Sequence, residues 1–196
     1  LLFDEIPDYP QGHRCAYGMF GSPFRLATVL GMEPTLSDNR KEMLDHFRQH
    51  IKKGFKQIAP RTVKDGPVLE NIMRDEEVDL LKLPVPIHHE HDGGRYIGTA
   101  VGVVTRDPDT GRINVGNYRV QVKGPNICAS YISNGKQGRI QRDKYLKAGK
   151  ACPVVIIVGC DPVTYLAAGY TMPDTVPEYE WAGGLMGQPV DLIEGE

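Results

Sequence analysis

Apolar positions recur at helical spacing in two early stretches. Residues 23–30 place Leu26, Val29 and Leu30 on one face. Ser22 can cap that helix, Pro23 fits its first turn, Gly31 supplies the stop and Pro34 prevents continuation. A second helix is predicted from near Ser37 and Asp38 to Gly54. Its apolar Met43, Leu44, Phe47 and Ile51 have Arg40, Lys41, Asp45 and Arg48 between them. Residues 71–78 give a weak helical or loop signal, and Pro84 and Pro86 then impose an extended connector. From Tyr96 the period changes to two. Ile97, Thr99, Val101 and Val103 alternate with Gly98, Ala100, Gly102 and Val104, a strand with one face small enough for close approach. Asp107-Pro108-Asp109-Thr110-Gly111 is turn chemistry, and residues 113–123 form the return strand of a hairpin. A third strand is expected over 127–132, followed by a Gly-rich turn and a basic helix over 140–148. The uninterrupted apolar run 154–158 reads as a strand buried on both sides. Asp161-Pro162 opens a helix through Ala168, and a last helix runs from about Glu178 to Met186.

The resulting fold class is α+β: a β-barrel-like antiparallel core with peripheral helices, preceded by a partial α/β domain. The domain division is 1–80 and 81–196. Composition narrows the functions open to it. The 196 residues carry 23 Lys+Arg against 25 Asp+Glu, a formal charge of −2, which leaves no basic footprint for nucleic acid. No apolar run approaches the roughly 20 residues that cross a bilayer. Cys15, Cys128, Cys152 and Cys160 form no CxxC pair, so reduced thiols in the cytoplasm are expected rather than a disulfide scaffold. The chain starts at Leu1 without a signal peptide and reads as part of a longer protein.

Three segments could carry chemistry. Ile87-His88-His89-Glu90-His91-Asp92 holds good metal ligands, but it lies between prolines and Gly93-Gly94, where a solvated loop is the stronger reading. In Asn114-Val115-Gly116-Asn117-Tyr118-Arg119, Asn114 and Gly116 share one strand face, offering an amide oxygen beside open space. Arg119 needs an anionic partner, either a protein carboxylate or a substrate one. Third, Thr175 with Glu178 three positions later satisfies the capping box, which would explain Glu178 without a ligand. The same carboxylate, following a Pro-rich loop, is also placed to bind a cation that neutralises a phosphate.

In register, these segments resemble the UbiD family of decarboxylases. The matching strings are 92–99 (Asp-Gly-Gly-Arg-Tyr-Ile-Gly-Thr), the 107–111 turn, Asn114-x-Gly-x-Tyr-Arg119, Pro153 through Gly159-x-Asp161-Pro162, and Glu178-Tyr-Glu-Trp-Ala-Gly183, with Gly21-Ser22 and Arg25 upstream. The resemblance implies a split β-barrel that holds prenylated FMN, with manganese at the flavin phosphate and a potassium ion nearby. Asn114 and Glu178 match the family's metal ligands. The segment 133–140, Ser-Asn-Gly-Lys-Gln-Gly-Arg-Ile, has no histidine to complete that set. Gln137 is the candidate third ligand, and Lys136 or Arg139 is a candidate for direct phosphate contact. Arg119 matches the active-site arginine that orients the substrate carboxylate. The cofactor pocket would comprise Thr99, Asn114, Val115, Gly116, Asn117, Tyr118, Arg119, Gln137, Gly138, Tyr170, Thr171 and Glu178, with Tyr118 and Met172 facing a flat substrate.

The implied activity is reversible, non-oxidative decarboxylation of an aromatic or α,β-unsaturated carboxylic acid, by a homo-oligomer in the full-length protein. The family's proton-donating acid pair lies beyond the helix that Glu178 begins. Glu194 and Glu196 are read as terminal, solvated charges, so this chain alone is expected to bind cofactor poorly and turn over slowly or not at all. The alternative is a non-catalytic flavin-binding module, or one subunit of a multi-subunit carboxylase.

Overall fold

The computed structural model describes residues 1–33, 38–98, 100–173 and 175–195. A short antiparallel pair, β1 (Leu2–Phe3) and β2 (Cys15–Ala16), precedes helices α1 (Pro23–Val29) and α2 (Arg40–Lys53). The Ser22 side chain makes no cap bond, and α1 relies on Pro23 at its start. Asn39 caps α2, its side chain accepting from the Glu42 N–H at 3.2 Å; the expected Ser37 start and Pro34 stop lie outside the described residues.

β3 (Arg61–Thr62) crosses to the far end of the chain. It pairs in parallel with β10 (Asp191–Leu192), where Arg61 donates to both oxygens of Asp191 at 2.8 and 2.9 Å. Residues on either side of the 80/81 division therefore share one small sheet.

The long hairpin read from the sequence forms, but each arm is divided. The first arm becomes β4 (Tyr96–Gly98) and β5 (Val101–Arg106). The second becomes β6 (Ile113–Gly116) and β7 (Val120–Gly124). β5 pairs with β6, while β4 pairs with β7, so one ribbon is shared between two sheets. A Cβ on Gly98 would overlap the Val101 side chain, so the bend between β4 and β5 requires glycine there. β8 (Ile127–Ser130) extends one sheet and β9 (Val154–Val158) the other, giving the orders β4-β7-β8 and β6-β5-β9. Among the described residues these remain separate three-stranded sheets.

The expectation for β9 is corrected. Among the described residues it is an edge strand, paired antiparallel with β5 alone, and Val154, Val155 and Val158 are exposed. An apolar run fixes that a segment is extended but not where in the sheet it sits, because apolarity alone does not count neighbouring strands. Ile156 carries its packing, meeting Val101, Val103 and Val120 between the two sheets.

The other face of the β6-β5-β9 sheet packs on α4 (Pro162–Gly169) and α5 (Glu178–Met186), through Val115 against Ala168 and Tyr179. Asp161 opens α4 as expected, its Oδ1 accepting from the Val163 and Thr164 N–H groups. Val163, Ala167, Trp181 and Ala182 form a core that Val29 of α1, Ile51 of α2 and Phe55 just beyond α2 join.

Helix α3 (Gln137–Lys147) covers the opposite face of the sheet, beginning earlier than the 140–148 reading. Its Lys144 donates to Asp107 at 2.7 Å and lies 2.9 Å from Asp109, pinning the helix to the β5–β6 turn. The bonded ammonium holds the Asp107 carboxyl below the usual carboxylate range. The pair's contribution is thus present above that range and lost as pH falls through the depressed titration. Lys144→Met is expected to lower the urea midpoint at pH 7, with the gap from wild type closing in acid; a gap unchanged down to pH 2 would refute this.

Candidate functional site

Among the described residues β6 is bounded on one side by β5 and on the other by no strand. Asn114 lies directly across from Thr105 and both are buried, at 3% and 2% exposure. The Asn114 Nδ2 donates to Thr105 Oγ1 at 3.3 Å, and that hydroxyl donates to Gln141 Oε1 at 2.6 Å. Gln141, from the middle of α3 and 1% exposed, in turn donates through Nε2 to the Arg112 carbonyl at 3.4 Å.

Glu178 approaches from α5. The capping-box reading is corrected: Pro177 is the N-cap, no side chain caps the helix, and Thr175 is exposed. Pro177 biases Val176 toward extended backbone, so the helix begins at Glu178 itself, its first rather than third residue. The carboxylate accepts from its own N–H and from the Val115 N–H, one residue past Asn114. The residue is 6% exposed, and Oε2 is buried with no hydrogen-bond partner among the described residues. Burial pushes the Glu178 carboxyl above its ordinary range, and the Arg112 charge opposes that only in part. An orphaned, desolvated carboxylate oxygen held against the strand that carries Asn114 is a donor suited to a hard cation.

The break between β6 and β7 is held from both sides. Asn117 donates from Nδ2 to the Tyr165 carbonyl at 3.1 Å, and its buried Oδ1 has no partner among the described residues. The Tyr118 ring lies where side chains on Gly116 and Gly138 would have to go, 2.9 Å from a Cβ built on Gly138. Both glycines thus wall one aromatic slot. Arg119 follows, exposed. Gln137 is the first residue of α3, next to Gly138 and to Lys136 at the N-cap. Arg139 is already engaged, donating to the Ile132 carbonyl at 3.2 Å with Asp143 at 3.7 Å.

Tyr170 stacks on Trp181 at 5.8 Å and is exposed, as is Thr171, while Met172 packs on the α4–α5 core. Val115 points into the α4–α5 core, so only its backbone reaches Glu178. Thr99 lies outside the described residues. His88 sits 3.4 Å from the Tyr96 carbonyl, and Asp92 accepts from the His89 N–H at 3.0 Å. Among the described residues no group of three or more His, Cys, Asp or Glu is arranged to hold a metal.

Sequence reading missed Thr105, Gln141 and Arg112. Thr105 had a usable signal: it continues the inward positions Val101 and Val103 at period two, where a polar residue needs a partner. Gln141, one polar residue within a basic helix, had none.

The comparisons agree with this architecture. The UbiD family profile, described as the 3-octaprenyl-4-hydroxybenzoate carboxy-lyase Rift-related domain, matches residues 61–196. Pyrrole-2-carboxylic acid decarboxylase of Pseudomonas aeruginosa is 37% identical over 143 residues, covering 69% of this chain and 27% of that protein. Phenolic acid decarboxylase of Streptomyces sp. strain D7 is 34% identical over 197 residues, covering 98% and 40%. Among solved structures, the UbiD-class enzyme HmfF from Pelotomaculum thermopropionicum in complex with FMN is 31% identical with a TM-score of 0.83, covering all of this chain and 41% of that one. An evolved dimeric form of HmfF is in complex with prFMN. The fold is thus the mixed α/β architecture of UbiD-class flavin enzymes. The chain belongs to the UbiD family. It spans less than half the length of these relatives.

Proposed function

We propose that the full-length protein is a prenylated-FMN-dependent decarboxylase acting on an aromatic or α,β-unsaturated carboxylic acid. The observation that carries this reading is the buried Glu178 Oε2, without a partner among the described residues, on a carboxylate that accepts from the Val115 N–H, one residue past Asn114 on β6. A hard cation such as Mn2+ there would draw one carboxylate and one amide oxygen from the protein. Phosphate oxygens and water would complete its shell, the usual arrangement for a cation shared with a phosphate. The start of α3 supports the phosphate role: Lys136 at the N-cap offers a cation and Gln137, the first helical residue, an amide. Val115, Gly116, Asn117, Tyr118, Gly138, Tyr170, Thr171 and Thr99 belong to the flavin pocket, within a ribbon we read as half of a split barrel, with K+ close by.

When bound, the modified flavin supplies the sink for the electron pair released as CO2 leaves. The chain's own residues bind and orient. Arg119, exposed just past the Tyr118 slot, offers a planar two-pronged donor to the substrate carboxylate. Asn117, anchored to the Tyr165 carbonyl, fixes the backbone two residues before it. The named relatives decarboxylate pyrrole-2-carboxylic and phenolic acids, which favours a flat aromatic acid as substrate. The same resemblance supports a homo-oligomer, and the four free thiols support a cytoplasmic setting. No helix among the described residues is long and apolar enough to cross a membrane.

The test is to co-express the full-length protein with a flavin prenyltransferase, identify bound flavin by absorbance and mass, and screen aromatic acids for CO2 release. Bound prFMN with CO2 release is expected. Protein free of flavin under those conditions would overturn the reading.

A further inference from the structure

The buried hydrogen bonds behind Asn114 have a direction that the chemistry of their ends dictates. The Arg112 carbonyl can only accept, so Gln141 must turn its NH2 toward it and its Oε1 toward Thr105. Thr105 has a single hydroxyl proton, and the 2.6 Å contact with Gln141 Oε1 consumes it. Its oxygen can then only accept from Asn114, so Asn114 must present Nδ2 to it and turn Oδ1 away. Both intermediate side chains are about as buried as any in the molecule, so water cannot relax the constraint.

We propose that Thr105 and Gln141 are positioning residues that fix the flip state of the Asn114 amide, so that its oxygen, never its NH2, faces the cation. This rests on the Asn114–Glu178 metal reading above. A freely flipping amide would offer a hydrogen-bond donor to a cation for part of the time, which weakens binding without removing any ligand. The relay starts at a backbone carbonyl on the β5–β6 hairpin, so the orientation is built into the fold before metal or flavin arrives.

The experiment is a Mn2+ titration of the protein in the presence of FMN, followed by the electron paramagnetic resonance of free Mn2+, with urea midpoints measured alongside. Loss of an outer partner of a metal ligand typically costs about 10–100-fold in affinity. Thr105→Val is expected to weaken Mn2+ by about 10-fold, Gln141→Met by a similar amount, and Thr105→Ser to restore affinity to within about 2-fold of wild type. The deciding measurement is a cycle with Asn114→Asp, whose two carboxylate oxygens make orientation irrelevant. In that background Thr105→Val should cost less than about 2-fold.

Equal losses from Thr105→Val in the Asn114 and Asn114→Asp backgrounds would mean a merely structural role and overturn the proposal. So would wild-type Mn2+ affinity in folded Thr105→Val or in folded Gln141→Met while Asn114→Ala is impaired. Unchanged Mn2+ affinity in Asn114→Ala would instead overturn the metal site, and the relay with it.

Discussion

Glu178→Gln is expected to make the metal-free protein more stable and the metal site far weaker. The amide keeps the shape of the carboxylate but removes a charge that burial disfavours. In the folded state the carboxyl titrates above its ordinary range. Its contribution is therefore complete below the usual glutamate range and is lost as pH rises through the raised value. Wild type and variant should match in acid and separate above that interval, the variant leading by about 1 kcal/mol at pH 8. For a chain of this size that is a rise of about 2–4 °C in the thermal midpoint. Mn2+ with FMN should reverse the order, because the variant loses the carboxylate of the proposed site; affinity should fall on the order of 100-fold, the upper end of what losing even an outer partner costs. Equal midpoints at pH 8 without metal would contradict the burial argument, and unchanged Mn2+ affinity would contradict the site.

The largest effect on folding is expected from Gly184→Ala. Helix α5 lies with its Gly183-Gly184 pair against the segment following α2. A Cβ on Gly184 would sit 2.7 Å from the Lys56 carbonyl and 2.6 Å from the Phe55 ring. The ring can turn aside, but the carbonyl cannot move without dragging β3 from its place beside β10. Overpacking against backbone should cost about 3 kcal/mol, or about 6–12 °C in thermal midpoint. Gly187→Ala provides the contrast. It ends the same helix at φ 72° with open space around it, so only the left-handed backbone objects. Its cost should be about 1 kcal/mol. If both substitutions cost the same, contact with residues 55–58 is not what requires the glycine pair.

Local rules read well wherever a single segment carried its own instructions. Asp161-Pro162 announced α4, the period of two marked the hairpin's first arm, and the 107–111 turn announced its return. What the sequence did not disclose were relations between segments. The division of the hairpin between two sheets depends on the bend past Gly98, and the position of β9 at an edge depends on which strands surround it. Glu178 shows the limit at the site. Its spacing from Thr175 fits a cap, and only the folded chain shows Pro177 in that position and the carboxylate turned toward Val115. Asn114 was legible as a polar residue on a small-residue strand. The Thr105–Gln141 support behind it comes from elements 36 residues apart and leaves no mark in either one.

The pairing of β3 with β10 has a consequence for how the chain folds. Arg61 and Asp191 are 130 positions apart, and the glycine pair of α5 needs the same distant segment. A ribosome making this protein releases residues 55–63 long before their partners exist. Closing so long a loop costs entropy that the contacts return only afterwards, with each doubling of length adding about 0.6 kcal/mol. Topologies of this kind fold slowly. Helices α1 and α2 should therefore wait, partly docked, until residues 180–192 emerge to lock them.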